Sequence, residues 1–297
     1  MYEKLWKSLI RPQRFPYSEI DLGGEEIEFT NYNAIRMDFR LSNAIKETFN
    51  LSLYLPCDEK YNLKFHGEYI VYCHTHSGSR TEGLHLVEES IERGIGIVLF
   101  DFRANGYSSG KYVTLGWFEA LDVNQVVNFL KSEAKAKSIC LWGRSMGGAA
   151  IVFFMSAKYR NTIDRIFAKR SLQKVNWAPQ KIIDCVVLDS QFNYLNQSIH
   201  NMVSSKTNKI PAWIISIVIS MLEAEISKRT LIKLSLMNPT DFFKGFKTPV
   251  FSILGNTDEM VRQKEFCENF KKIESKIKKF QIFVGNHTED RPQHIID

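Results

Sequence analysis

Apolar positions in this chain fall into two rhythms. Short runs rich in β-branched and aromatic residues alternate with longer stretches of helical spacing, the pattern that builds βαβ units around a mainly parallel sheet. The runs 69–73 (YIVYC), 96–100 (GIVLF), 138–142 (SICLW), 185–188 (CVVL), 250–254 (VFSIL) and 280–284 (FQIFV) are apolar almost throughout, as strands buried on both faces are. The opening part differs: 26–30, 34–41 and 48–55 alternate apolar with polar residues, as an antiparallel edge does. Helical spacing fills 80–93, 117–134, 146–159 and 262–273. No internal repeat and no Gly/Ser-rich linker divides the chain, so residues 1–297 read as one domain.

Two gaps are too long for simple crossovers. The stretch 191–247 carries further helical patterns, among them the apolar run PAWIISIVISMLEAEI from Pro211, and a segment of this length inside an alternating sheet reads as a helical lid or cap. That run meets Glu223 too soon to span a bilayer. The second gap is basic. Residues 158–181 hold Lys158, Arg160, Arg165, Lys169, Arg170, Lys174 and Lys181 against Asp164 alone, an excess as large as the net charge of the whole chain, +6. With no aromatic–basic RNA motif and no zinc finger beside it, the stretch predicts no nucleic-acid partner. It reads as a solvated insertion, or as a surface attracted to acidic lipid.

Composition narrows the class. At 297 residues, 44% hydrophobic and 24% charged, the chain is neither disordered nor a disulfide-stapled miniprotein. Its five cysteines include no CxxC pair, which predicts reduced thiols and a cytoplasmic setting. The first residues, MYEKLWKSLIRP, lack the apolar core of a secretory signal. Leu5, Trp6, Leu9 and Ile10 with Lys4 and Lys7 form either a short interfacial helix or a segment packed over the first strands, so peripheral membrane contact through a basic and apolar surface stays open.

The candidate chemistry centres on Gly143-Arg144-Ser145-Met146-Gly147, a G-x-S-x-G that follows the strand SICLW and opens into a helix. The flanking glycines permit the tight strand–turn–helix bend that lifts a serine hydroxyl above a sheet. Such a hydroxyl needs a base, and the base needs an orienting group. His287, just past the last strand, is the leading base. His294 is the weaker candidate, and His66, His85 and His200 lie in contexts with no partner pattern. For the acid, Asp258 follows the strand VFSIL and gives the chain order Ser145, Asp258, His287; Asp189, ending CVVLD, is its rival, and Glu259 is adjacent. Backbone N–H groups that face developing negative charge would come from Met146 and from the loop after 69–73, with His76 first and Thr75 second. His74-x-His76 lacks the further ligands of a metallohydrolase, so no metal or other cofactor is expected, and His74 reads as a structural hydrogen-bonding group.

These residues resemble the α/β-hydrolase superfamily, and more narrowly the serine-aminopeptidase-like intracellular hydrolases of plants, protists and bacteria. YIVYCHTHSGSR is similar to that group's YCHGNSGSR loop, and FDFRANGYSSGKYVTLGW to its DFSGSGLSGGEYVTLGW. LWGRSMGG matches the serine turn, VLDSQF resembles VLDSPF, and NHTEDRPQ resembles the histidine-bearing HNSPRPQ ending; Ile10-Arg11-Pro12 matches an N-terminal IRP element. Thr75 and His76 depart from the group's Gly and Asn. The resemblance implies an eight-stranded, mainly parallel sheet flanked by helices, with the lid inserted after the sixth strand. It implies a catalytic Ser145, Asp258 and His287 that hydrolyse an ester or thioester through an acyl-enzyme, without a cofactor. The apolar lid suggests a hydrophobic acyl or other small-molecule substrate. The alternatives are a serine aminopeptidase or peptidase, and a non-catalytic binding protein on the same fold.

Overall fold

The computed structural model describes residues 2–206, 212–230, 232–233 and 237–296; Pro211 and parts of the 191–247 stretch lie outside them. In chain order the elements are α1 (Tyr2–Ile10), β1 (Glu26–Glu28), β2 (Asn33–Ser42), β3 (Thr48–Cys57), β4 (Glu68–Cys73), α2 (Val87–Glu92), β5 (Gly96–Phe100), α3 (Glu119–Ser132) and β6 (Ser138–Arg144). They continue with α4 (Met146–Met155), α5 (Ala157–Lys169), β7 (Ile183–Asp189), α6 (Leu195–Lys206), α7 (Ala212–Thr230), β8 (Val250–Gly255), α8 (Gln263–Lys272), β9 (Lys278–Phe283) and α9 (Gln293–Ile296).

All nine strands form one sheet in the order β1-β2-β3-β5-β4-β6-β7-β8-β9. Pairing is antiparallel from β1 to β5 and parallel from β5 through β4 to β9. The expected count of eight is therefore one short. The added strand is the three-residue β1, which folds back on β2 through the turn in which Phe29 N–H donates to the Tyr32 carbonyl at 2.9 Å. A short strand with charged ends suits an exposed sheet edge, where a longer apolar one would invite further pairing. Counted with β1, the 191–247 stretch follows the seventh strand, β7.

Continuously apolar strands go to the middle of the sheet because both of its faces are covered. Along β4, Tyr69, Val71 and Cys73 join one apolar cluster while Tyr72 joins the cluster on the opposite face. The chain leaves β4 toward β5 on one side and returns to β6 on the other. The loops after β4 and β6 therefore diverge and open a crevice at the carboxyl ends of these strands, the position where such sheets bind ligands.

The helices depart from the sequence pattern in two informative places. The predicted helix over 146–159 breaks at Ser156, whose extended backbone turns the chain into α5. Much of the basic stretch lies in that helix. Tyr159, Ile163 and Phe167, one turn apart, are buried, while the cations occupy the outer face. The 80–93 pattern is likewise divided, into a 3₁₀ segment (Arg80–Leu86) and α2.

In the 191–247 stretch, α7 buries Ile215, Ile219, Leu222 and Ile226 and leaves Trp213, Ile217 and Met221 exposed on the opposite side. Its Arg229 guanidinium lies 3.8 Å from the centre of the Trp6 ring, a cation–π contact that joins α7 to α1. Trp6 and Ile10 are buried, so α1 turns this apolar side inward. Among the described residues no helix is long and apolar enough to cross a membrane.

Helix α4 is buried along its whole length, and its Phe153 contacts the rings of Trp117, Tyr159 and Phe242. Phe153→Ala will therefore lower the unfolding free energy in urea by about 3–5 kcal/mol. Trp213→Ala, on the exposed side of α7, will change it by no more than about 0.5 kcal/mol.

Candidate active site

Ser145 occupies the single residue between β6 and α4, with φ 51° and ψ −110°. A side chain at positive φ is strained, and such strain persists only where surrounding contacts over-determine the turn. Here the Ser145 N–H donates to the Asp189 carbonyl at 2.8 Å, and the Ser145 carbonyl accepts from Ala149 N–H at 3.2 Å. The turn also presses against its neighbours. A Cβ at Gly147 would lie 1.9 Å from the Cys73 carbonyl oxygen at the end of β4, and one at Gly143 would lie 2.5 Å from Gly147 and Gly148 backbone atoms. Both glycines of the motif are thus required by close backbone approach.

His287, in the loop after β9, meets this turn. Its Nε2 is 3.0 Å from Ser145 Oγ, and its Nδ1 is 2.7 Å from Asp258 Oδ2. The loop after β8 fixes Asp258 in turn, because its other oxygen accepts the N–H groups of Met260 and Val261, each at 2.8 Å. A fully buried carboxylate that accepts from Nδ1 sets the imidazole tautomer and leaves Nε2 free to accept the serine proton. A hydroxyl so placed can lose its proton to His287 as it attacks an electrophile.

The rival acid is engaged elsewhere. Asp189 holds Arg291 in a bidentate pair, with Nε to Oδ2 at 2.8 Å and Nη2 to Oδ1 at 2.7 Å, both side chains only 1% exposed. Arg291 also donates to the Glu289 carbonyl at 2.6 Å, and Arg144, beside the serine, donates to the carbonyls of His287 at 3.1 Å and Glu289 at 2.8 Å. Two arginines thereby tie down the backbone that carries His287. The sequence reading gave neither a role, although Arg291 stands in the NHTEDRPQ segment and Arg144 inside the serine motif. His66, His85, His294 and Glu259 are exposed, and His200 lies in α6; no contact joins any of them to Ser145.

The loop after β4 divides the two proposed N–H donors. Thr75 N–H points at the Glu82 carboxylate, 3.2 Å from each oxygen, and its hydroxyl donates to Glu82 Oε2 at 2.7 Å. The Thr75 N–H is thus turned to a partner within its own loop. That partner is Glu82, a carboxylate that also accepts the Tyr72 hydroxyl at 3.0 Å. The His76 N–H meets no acceptor among the described residues, and Met146, as the first residue of α4, has no intrahelical acceptor.

The two histidines of the loop are tied to backbone. His74 Nε2 accepts from Phe102 N–H at 2.9 Å, so Nδ1 bears the proton and donates to the Thr75 carbonyl at 2.6 Å. His76 donates Nε2–H to the Ser8 carbonyl at 3.0 Å and accepts Asn105 Nδ2–H at its own carbonyl at 2.9 Å. Burial holds the His76 imidazole below its ordinary pKa, and the nearby His74 and His287 act in the same direction. Among the described residues no group of three His, Cys, Asp or Glu side chains is disposed to hold a metal ion.

Comparison with known proteins now adds to this geometry. No family model matches the chain. An uncharacterized protein from Bacillus subtilis, YqkD, is 27% identical over 89 residues, 30% of this chain and 29% of that protein, so the match spans less than a third of the relative's length. Among solved structures, the Pyrococcus furiosus esterase Pf2001 superposes with a TM-score of 0.63 at 23% identity, covering 94% of this chain and 90% of that one. An α/β hydrolase from Vibrio vulnificus gives 0.59 at 15% identity, with coverages of 96% and 86%. Est1E from Butyrivibrio proteoclasticus, solved with ferulic acid bound, gives 0.56 at 17%, with coverages of 87% and 94%. The chain has the α/β-hydrolase fold.

The Asp189–Arg291 pair generates a stability prediction. Arg291→Met leaves a buried carboxylate without its partner and will destabilise the protein by about 3–5 kcal/mol. Adding Asp189→Asn will recover part of that loss, as read from urea midpoints of the single and double variants.

Proposed function

We propose that this protein is a serine hydrolase that cleaves a carboxylic ester or thioester with a hydrophobic acyl group. The observation that carries the reading is the continuous hydrogen-bond chain from Asp258 through His287 to Ser145. Ser145 attacks the carbonyl carbon while His287 Nε2 takes its proton, and Asp258 holds the ring and stabilises the imidazolium. The N–H groups of Met146 and His76 stabilise the oxyanion. His287 then protonates the leaving alcohol or thiol. Water, deprotonated by the same histidine, releases the acid and restores the serine.

The fold of known esterases supports an enzyme of this type, and the motif resemblance supports placement among the serine-aminopeptidase-like hydrolases. The apolar stretch 191–247 serves as the cap in this reading, its helix α7 joined to α1 by the Arg229–Trp6 contact. Five free cysteines agree with a reducing, cytoplasmic setting.

The first test is labelling of the purified protein by a fluorophosphonate. The wild type will be labelled, and Ser145→Ala and His287→Ala will not. A folded wild type that takes up no label sinks the reading in favour of a binding protein. In steady-state assays with p-nitrophenyl esters, Ser145→Ala will lower kcat by about 10⁶. Asp258→Asn, which permits the wrong tautomer, will lower it by about 10⁴.

A further inference from the structure

Beside the His76 loop opens a cleft of about 600 Å³, a volume in the range of small-molecule sites. One wall is the end of α1 and the segment after it, with Lys7, Arg11, Gln13 and Arg14; Lys111 stands on the other, in the loop after β5. Glu47, the carboxylate beside Gly110, is engaged by Arg103. Lys7 is offset by Glu3, 2.6 Å away and one turn back on α1. Arg11, Arg14 and Lys111 pair with no carboxylate among the described residues.

Arg14 has a second task. Its guanidinium donates to the carbonyls of Gly106 at 2.9 Å and Gly110 at 3.0 Å, and also to that of Ser108. These neutral acceptors hold the two walls together and leave the positive charge in place.

Arg11 and Lys111, cations on a concave wall with no carboxylate partner among the described residues, attract an anion, and guanidinium forks match phosphate oxygens. Both walls are also bound to the residue whose N–H would serve the oxyanion. Ser8, between Lys7 and Arg11, accepts from the His76 ring, and Asn105, in the loop that carries Lys111, donates to the His76 carbonyl. Both walls of the cleft are thus linked through hydrogen bonds to the loop that carries His76.

We infer that this cleft receives a phosphate or diphosphate group of the substrate, so that the ester or thioester attacked by Ser145 carries such a group. The inference rests on the hydrolase reading. Two sources share this chemistry: a thioester whose leaving thiol bears a diphosphate, and a lipid ester with a phosphate headgroup.

The experiment has a binding arm and a kinetic arm. Ser145→Ala protein is titrated calorimetrically with inorganic pyrophosphate at low ionic strength, with and without Arg11→Ala/Lys111→Ala. Saturable binding is expected, weakened about tenfold or more by the two substitutions and by added salt. In the active enzyme, kcat/KM is compared for butyryl-coenzyme A, a short-chain lysophosphatidic acid and uncharged p-nitrophenyl butyrate. The ratio of the better phosphate-bearing substrate to the uncharged one will fall about tenfold in the double variant, and which substrate is better names the source. Should the double variant not fold, Arg11→Glu, at an exposed position, gives the same comparison. Absence of saturable pyrophosphate binding, or a ratio left unmoved, overturns the inference, and continued turnover of p-nitrophenyl butyrate then leaves the hydrolase reading standing. Pyrophosphate binding with no turnover of any ester or thioester defeats the hydrolase reading and the substrate assignment with it.

Discussion

The contact on which the site depends is the approach of the Ser145 turn to the end of β4. Gly147 lies so close to the Cys73 carbonyl that a methyl group at that position would sit 1.9 Å from the oxygen. This closeness does two things together. It holds Ser145 at a positive φ that an isolated chain would relax, and it brings the start of α4 beside the loop that begins at His74. The start of α4 and the loop after β4 border one crevice because the switch in strand order at β4 sends the two connections in opposite directions. A side chain at position 147 would push the serine turn away from the end of β4.

Buried charge organises the other half of the crevice. Three loops, after β7, β8 and β9, must meet at His287, and each contributes a fixed point. Asp258 accepts one imidazole proton and two backbone N–H groups, while Asp189 accepts the Arg291 fork. The two carboxylates look alike in sequence, since each follows an apolar strand. Their environments separate them: Asp258 is turned to the histidine by its own loop, and Asp189 is neutralised by an arginine four residues beyond that histidine. A buried ion pair seldom adds much net stability over apolar packing. Its value here is positional, because Arg291 and Arg144 between them hold the carbonyls of His287 and Glu289.

Much of this was legible in the chain. Apolar runs marked the strands because strands buried on both faces must be apolar throughout. The serine turn was legible because only glycine tolerates the close approaches at positions 143 and 147. The order Ser145, Asp258, His287 could be read from the loops that follow three strands. Less legible were features decided by tertiary partners. The break at Ser156 carries no proline or glycine to announce it, and the basic stretch concealed an amphipathic helix behind its charge. Choosing between Asp189 and Asp258 on physical grounds needed Arg291, a residue distant in sequence from both. The fate of Thr75 depended on Glu82, seven residues on, a spacing that is uninformative until the 3₁₀ segment folds Glu82 back beneath the loop.

That last pairing explains how the loop accommodates a β-branched residue where the resembling group has glycine. A hydroxyl at position 75 facing the crevice would narrow it. Glu82 instead collects the Thr75 hydroxyl, the Thr75 N–H and the Tyr72 hydroxyl on one carboxylate, which turns residue 75 away. His76, the next residue, is held from two sides, by Ser8 of α1 and by Asn105 of the loop after β5. Since α1 also bears Trp6 under Arg229 of α7, the N-terminal helix joins α7 to the loop after β4. The opening helix is therefore part of the framework of that loop, while Glu82 accommodates the threonine that stands where the resembling group has glycine.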